Sequence, residues 1–347
     1  MPEQVPLFLA PMAGVTDVAY RLLAREAGAD FTSTEFTAAS GLSRQDARSW
    51  AKVETHPREA PFIPQIFGGI EDEMVETTRL LSKNADVIDL NFGCPAPKVT
   101  KTCAGAAMMA DPDNLVSMVK RCMEASEVPI SVKMRLGTGQ DAITVLEIAE
   151  RCAQLGVLRI CVHGRTLAQK YRGVADWDMI RQVVGVVQPH GVPVIANGDI
   201  VDAKSATRCL EVTGASGLMI GRGAIGDPCI FGRIKTELGW GDFHAPWGDA
   251  NEAGQKHWAW NRYVELVDEI GGPYAARNMK QHAISFTKGL PGGRELRPHL
   301  HAIKDFRLIG EPLNMAFEGY TSRSHNTLAV PEAIAMAEGL KHHEFKR

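Results

Sequence analysis

One cysteine at the end of a short apolar run is the first residue able to do chemistry. Val87-Ile88-Asp89-Leu90 leads into Asn91 and stops at Gly93-Cys94-Pro95. A short buried strand ending in a Gly–Cys–Pro turn holds one thiol, Cys94, at a strand's C-terminal end. Such a thiol is a nucleophile, an acid or simply a small buried hydrophobe. The residues that follow include Lys98, Lys101, Cys103, Gly105, Ala106 and Ala107. They are small, polar and basic, and read as a loop able to move over a ligand. Cys103 gains no role from its surroundings.

Other polar residues close apolar runs in the same way. Gln65 stands in Gln65-Ile66-Phe67-Gly68-Gly69, Lys133 and Arg135 end the run from Ile130, and His163 precedes Gly164-Arg165-Thr166. Asn197-Gly198-Asp199 and Gly221-Arg222-Gly223 do likewise further on. Each alone has an ordinary structural role. Their common position points to one site only if the strands that carry them share a rim.

The rhythm of the chain supplies that rim. Strands are expected at Leu7 to Ala10, Phe31 to Thr34, Phe62 to Phe67, Val87 to Leu90, Ile130 to Met134, Arg159 to Val162, Val192 to Ala196 and Gly217 to Ile220. Helices are expected between them: one capped by Asp17 and running to about Ala27, then Glu71 to Ser82, Pro112 to Ser126, Ala142 to Leu155, Trp177 to Val187 and Asp202 to Thr213. Eight such repeats predict an α/β chain folded as a (β/α)8 TIM barrel, close to the usual size of ~250 residues. A doubly wound sheet is the alternative, and the unbroken rhythm favours the barrel. Active sites of this fold lie at the C-terminal ends of the strands, where all of these polar residues fall. Gly221 to Gly226 also matches GxGxxG, but after the last strand rather than the first. It reads as a phosphate-binding loop for a mononucleotide, together with Gly198-Asp199.

The bulk properties narrow the class. The chain has 347 residues, 45% of them hydrophobic, and a net charge of −3. No apolar run reaches membrane-spanning length, and the N-terminus lacks the pattern of a signal peptide. Seven scattered cysteines, without a CxxC pair or a histidine at metal spacing, fit a reducing cytoplasm and predict no metal site. Between Arg277 and Arg307 lie seven Lys or Arg and two acids, a net of +5 on an otherwise acidic chain. That imbalance points to a polyanion contact. The organisation expected is a barrel over 1–238, a linker over 239–256 rich in Gly, Trp and Asp, and a helical domain with a tail over 257–347. The oligomeric state is not legible.

In combination the motifs resemble the tRNA-dihydrouridine synthases, to about residue 310. They are PMAGVTD at 11–17, QIFG at 65–68, DLNFGCPAPKV at 89–99, AGAAMM at 104–109, VKMR at 132–135, VHGRT at 162–166, NGD at 197–199 and GR at 221–222. RNMKQHAISFTKGLPGGRELR, from residue 277, is similar to the family's helical tRNA-binding domain. The tail beyond about Asn314 matches none of these motifs, and the resemblance assigns it no role.

The resemblance implies an FMN enzyme that reduces one uridine C5=C6 bond in tRNA, with NADPH reducing the flavin. C6 would receive a hydride from flavin N5, and C5 a proton from Cys94 acting as general acid. Lys133 would sit by the flavin N1/O2 edge and Gln65 by its pyrimidine edge. Pro11, Met12, Ala13 and His163 would also contact the flavin. Asn197, Gly198, Asp199, Gly221 and Arg222 would hold its phosphate end. Asn91 and Arg135 would contact the uracil, and Lys98, Arg277, Lys280, Arg294 and Arg297 the tRNA. A dihydroorotate dehydrogenase-like FMN oxidoreductase and a non-catalytic tRNA-binding module are the rival readings. The basic segment argues against the first, since a small acid needs no such surface.

Overall fold

The computed structural model describes residues 2–271, 276–321 and 329–341. Residues 272–275, 322–328 and 342–347 of the expected helical segment lie outside the described residues.

The chain begins with β1 (Leu7–Leu9), α1 (Val18–Glu26), β2 (Phe31–Thr32), β3 (Thr37–Ala38), α2 (Ala39–Ser43) and α3 (Ala47–Trp50). There follow β4 (Gln65–Phe67), α4 (Glu71–Leu81), β5 (Ile88–Phe92), α5 (Pro97–Thr100), α6 (Pro112–Ala125) and β6 (Ile130–Met134). A hairpin of β7 (Gly137–Gly139) and β8 (Ala142–Ile143) precedes α7 (Val145–Leu155). The barrel then continues with β9 (Ile160–His163), α8 (Trp177–Val187), β10 (Val194–Asn197), α9 (Ala203–Thr213), β11 (Gly217–Ile220) and α10 (Ile230–Leu238).

Parallel pairing runs in the order β2-β1-β11-β10-β9-β6-β5-β4-β3. The second expected strand is split. Its first half pairs Phe31 and Thr32 with Phe8 and Leu9, and its second half pairs Thr37 and Ala38 with Ile66 and Phe67. Between them Thr34 N–H donates to Ile63 O at 3.1 Å, and Gln65 N–H donates to Thr34 Oγ1 at 3.0 Å. One segment therefore closes the sheet on itself, and the barrel is complete.

Strands buried on both faces read as apolar runs, and aspartates start the helices. Asp17, Asp111, Asp176 and Asp202 each accept a backbone N–H of the following first turn. Apolar positions such as Ile88, Leu90 and Val132 pack outward against the helices in the main core. Phe8, Cys161, Ile195 and Met219 fill the interior on one side with Phe31. On the other side, at β4 to β6, the interior carries Gln65, Asp89, Asn91, Ser131 and Lys133, all buried.

Further helices follow the barrel: α11 (Glu252–Ile270), α12 (Met279–Phe286), α13 (Gly293–Ala302), α14 (Gly310–Thr321) and α15 (Ala329–Gly339). The expected linker is folded. Trp240 is buried and its indole N–H donates to Pro2 O at 3.0 Å, Trp247 packs beside Phe243 and Trp258, and α11 already begins at Glu252. Its composition suggested a linker because the aromatic burial depends on partners elsewhere in the chain.

These helices dock through buried polar contacts. Asp17 Oδ2 accepts from Tyr263 Oη, Asn278 Nδ2 and His282 Nε2 at 3.2, 3.0 and 3.2 Å. The His282 ring stacks on Tyr20 at 4.5 Å. Gly226, the third glycine of the GxGxxG match, has φ +73° and lies so close to α12 that an added Cβ would sit 2.2 Å from Ser285 O. That glycine serves helix packing rather than phosphate binding.

Candidate active site

A cavity of about 290 Å³ opens at the C-terminal ends of the strands. Ala10, Pro11, Met12 and Met219 give it an apolar side. Asn91, Cys94, Lys133, Arg135, His163, Asn197, Asp199 and Arg222 supply its polar groups. Residues remote in sequence are thus brought together, as the shared rim requires.

Cys94 is held by backbone geometry. Asn91 Oδ1 accepts from the Gly93 and Cys94 N–H groups at 3.0 and 2.9 Å, and Ala106 N–H donates to Cys94 O at 3.1 Å. Gly105 has φ +58°, and a Cβ there would fall 2.9 Å from Cys94 O, so only glycine lets the returning chain come this close. The loop expected after Cys94 is therefore structured, with α5 and a 3-10 turn at Gly105–Ala110. Burial pushes the thiol above its ordinary value, against the opposing pull of the Ala96 N–H and of Arg135, Lys98 and Lys133. Burial thus favours the neutral thiol over the thiolate. Cys103, by contrast, is exposed.

Lys133 is buried and donates from Nζ to Asn197 Oδ1 at 3.1 Å, while Asn197 Nδ2 donates to Met219 O at 2.7 Å. No carboxylate pairs with Lys133 among the described residues, and burial lowers its pKa. Asp89 attracts it only at a distance, and an ammonium buried with no carboxylate in direct contact is costly, so its site suits an anion. His163 is held neutral, its pKa pushed down to about 2 by burial and by Lys133, Arg135, Arg165 and Arg222.

Arg135 is almost fully buried. Its Nε donates to Gly93 O at 2.7 Å and its Nη1 to Thr166 O and Lys170 O at 2.9 and 2.8 Å. Burial brings its pKa down to about 10. Asp199, with φ +58°, accepts from Arg165 Nη2 at 2.6 Å and from Arg222 Nη2 at 3.1 Å, and its Oδ2 takes the Ala175 N–H at 2.7 Å. It is the only carboxylate on the cavity lining among the described residues. Gly198, Gly221 and Gly223 bring backbone to the same end.

Three expected flavin contacts are placed differently. Ala13 lies on an exposed turn and does not line the cavity. Gln65 is fully buried beneath it, with Nε2 donating to Asp89 Oδ2 at 2.5 Å and Oε1 accepting from Asn91 Nδ2 at 2.6 Å. One amide hydrogen and one lone pair remain on Gln65. Asp199 is engaged by two arginines, and a carboxylate repels rather than holds a phosphate.

Among the expected tRNA contacts, Lys98 is exposed on α5 and Arg294 is exposed on α13. Lys280 Nζ donates to His301 O at 3.1 Å, and Arg297 Nε to Thr287 Oγ1 at 2.8 Å. Arg277 is not available to a polyanion. Its Nη2 pairs with the buried Glu35 at 2.5 Å and its Nη1 donates to Ala51 O at 2.7 Å. A run of positive charge does not reveal which members already face a carboxylate.

Sequence reasoning missed Arg165, Tyr171 and Phe36. Tyr171, about half exposed at the cavity mouth, lies between two guanidinium groups, with Arg135 Cζ 5.5 Å and Arg222 Cζ 5.0 Å from its ring centre. No local pattern marks it, because its partners end other strands. Among the described residues no helix is long and apolar enough to cross a membrane, and no group of His, Cys, Asp or Glu could hold a metal ion.

A family model described as dihydrouridine synthase matches residues 8–317. The chain is 40% identical over 275 residues to a probable tRNA-dihydrouridine synthase of Rhizobium leguminosarum, covering 79% of this chain and 82% of that protein. It is 39% identical over 236 residues to one of Rhodobacter capsulatus, covering 67% and 72%. A third, of Treponema pallidum, is 34% identical over 294 residues, covering 82% and 85%.

Proposed function

Because the chain belongs to the dihydrouridine synthase family, we propose that it reduces the C5=C6 bond of one uridine in tRNA, with FMN as cofactor and NADPH as the reductant of the flavin. The observation that carries this reading is a buried thiol, its pKa raised by burial, and a buried lysine with no carboxylate in direct contact among the described residues, both on one cavity. The chemistry calls for that pair: a proton source beside the base, and a cation where negative charge gathers.

The residues present fit a flavin mononucleotide. Pro11, Met12 and Met219 offer an apolar surface for a planar ring, and Lys133 offers the cation for its N1/O2 edge. Gly198, Gly221, Gly223 and Arg222 offer backbone and charge for a phosphate. FMN, when bound, supplies the hydride for C6.

The chain's own groups do the rest. Cys94 Sγ gives its proton to C5. Asn91 keeps one amide N–H after its bonds to Gln65 and the backbone, and donates it to a uracil carbonyl. Arg135 holds Gly93 O, and so the thiol's turn, while its ring partner Tyr171 covers the mouth. Neutral His163 accepts a hydrogen bond rather than adding another cation. Asp199 positions Arg222 and Arg165 without touching the phosphate. The uridine must leave its stack to reach the cavity. The cations of α12 and α13 that face no carboxylate among the described residues, the exposed Arg294 foremost, supply backbone contacts to the RNA.

Mapping dihydrouridine in tRNA from cells with and without this protein tests the reading. One position should be lost on deletion and restored by the wild-type chain. An unchanged map, or purified protein that takes up no flavin, overturns it.

A further inference from the structure

A carboxylate sits inside the barrel with no part in the chemistry above. Asp89 is buried on β5, and although it attracts the buried Lys133 and Arg159 at a distance, it makes no direct salt bridge among the described residues. Its Oδ2 accepts from Gln65 Nε2 at 2.5 Å, and its Oδ1 accepts from Ser131 Oγ. Burying a carboxylate is costly, even when hydrogen-bonded, unless its charge is used.

Following the bonds outward shows a use. Asp89 takes a hydrogen from the Gln65 amide nitrogen, which turns Gln65 Oε1 toward Asn91. Gln65 Oε1 then accepts from Asn91 Nδ2 at 2.6 Å, which turns Asn91 Oδ1 toward Gly93 and Cys94. There Asn91 Oδ1 meets two backbone N–H groups, at 3.0 and 2.9 Å. A backbone N–H only donates, and an ionised carboxylate only accepts. Two reversible amides thus lie between ends of fixed and matching polarity. With a second carboxylate set at 91, the Gln65 amide must oppose like with like, whereas Asp89→Asn keeps an acceptor oxygen for Gln65 Nε2 and only loosens the polarity of that end.

We propose that Asp89 is a positioning residue that fixes the polarity of this chain and thereby holds the Cys94 turn in place. The proposal rests on the reading of Cys94 as the proton donor, but its test needs no turnover. The amides of Gly93 and Cys94 report it directly through hydrogen exchange in the flavin-loaded protein.

The decisive comparison is a swap. Asn91→Asp alone sets two carboxylates against one Gln65 amide, and exchange at Gly93 and Cys94 should rise about tenfold, as for a lost hydrogen bond. Asp89→Asn alone should raise it less. In Asp89→Asn/Asn91→Asp, the Gln65 amide reverses: Asp at 91 accepts from its nitrogen, and Asn at 89 donates to its oxygen. Every group is again matched, and exchange should return to within about twofold of the parent. Should Asn91→Asp fail to fold, recovery of folded, flavin-loaded protein in the double variant supports the proposal, and failure of both overturns it. Exchange unmoved by Asn91→Asp, or as fast in the double variant as in the single, also overturns it. Loss of turnover in any of these proteins bears on the readings of Cys94 and of Asn91 as a uracil contact, and leaves this test intact.

Discussion

On the β4 to β6 side of the cavity, Ser131, Asp89, Gln65, Asn91 and the Cys94 backbone form one hydrogen-bonded chain in which donors face acceptors. On the side facing β9 to β11, Arg165 and Arg222 share one carboxylate, Asp199, and together with Lys133 and Arg135 from the end of β6 they keep His163 neutral. The first wall is internally complete and offers a ligand little charge. The second carries more positive charge than the protein compensates. A complete network positions and an incomplete one binds, so the thiol is presented by the first wall and the anionic cofactor is drawn to the second.

Perturbing each wall should therefore give a different failure. Cys94→Ala should lose about 10²–10⁴-fold in turnover, the usual worth of a general acid, while flavin content and tRNA binding stay as they were. Single-turnover uridine reduction beside flavin absorbance checks it. Lys133→Met should do the reverse: flavin affinity should fall about a hundredfold, as for loss of a buried charge-assisted contact, with the Cys94 turn unchanged. Fluorescence titration with FMN measures it.

The comparison extends to the helical segment. Arg277→Ala strips the buried Glu35 of its cation and should lower stability by about 3 kcal/mol, read by denaturant unfolding, with the salt dependence of tRNA binding unchanged. Arg294→Ala should leave stability alone and reduce the slope of log affinity against log salt by about one.

Much of this architecture was legible locally. Ile130–Met134 and Gly217–Ile220 form as read because apolar runs bounded by Pro129 and Gly221 signal strands. Trp177–Val187 forms as read because Asp176 is a cap visible in sequence. The broken second strand was not legible, since its halves are defined by pairing with β1 and with β4. Nor was the β7–β8 hairpin, which lies where one helix was expected to run on from Ala142. At the site, residue types at strand ends announced Cys94, Lys133 and His163. What each one touches did not show: Arg277 meets Glu35 across 242 residues of chain, and Gln65 meets Asp89 across 24. Spacing finds the rim, while the third dimension decides which polar groups remain free for a ligand.

The central claim is that Cys94 acts as a protonated acid. In flavin-loaded protein carrying Cys103→Ser, which removes the exposed thiol, the rate of Cys94 alkylation by iodoacetamide should be followed against pH. Alkylation needs the thiolate, so its rate rises through the pKa, whereas proton donation fails through the same pKa. The account predicts a midpoint above the ordinary thiol value of about 8.5, with loss of single-turnover reduction over the same interval. A midpoint below about 7.5 would make Cys94 a thiolate at neutral pH and contradict its role as the donor.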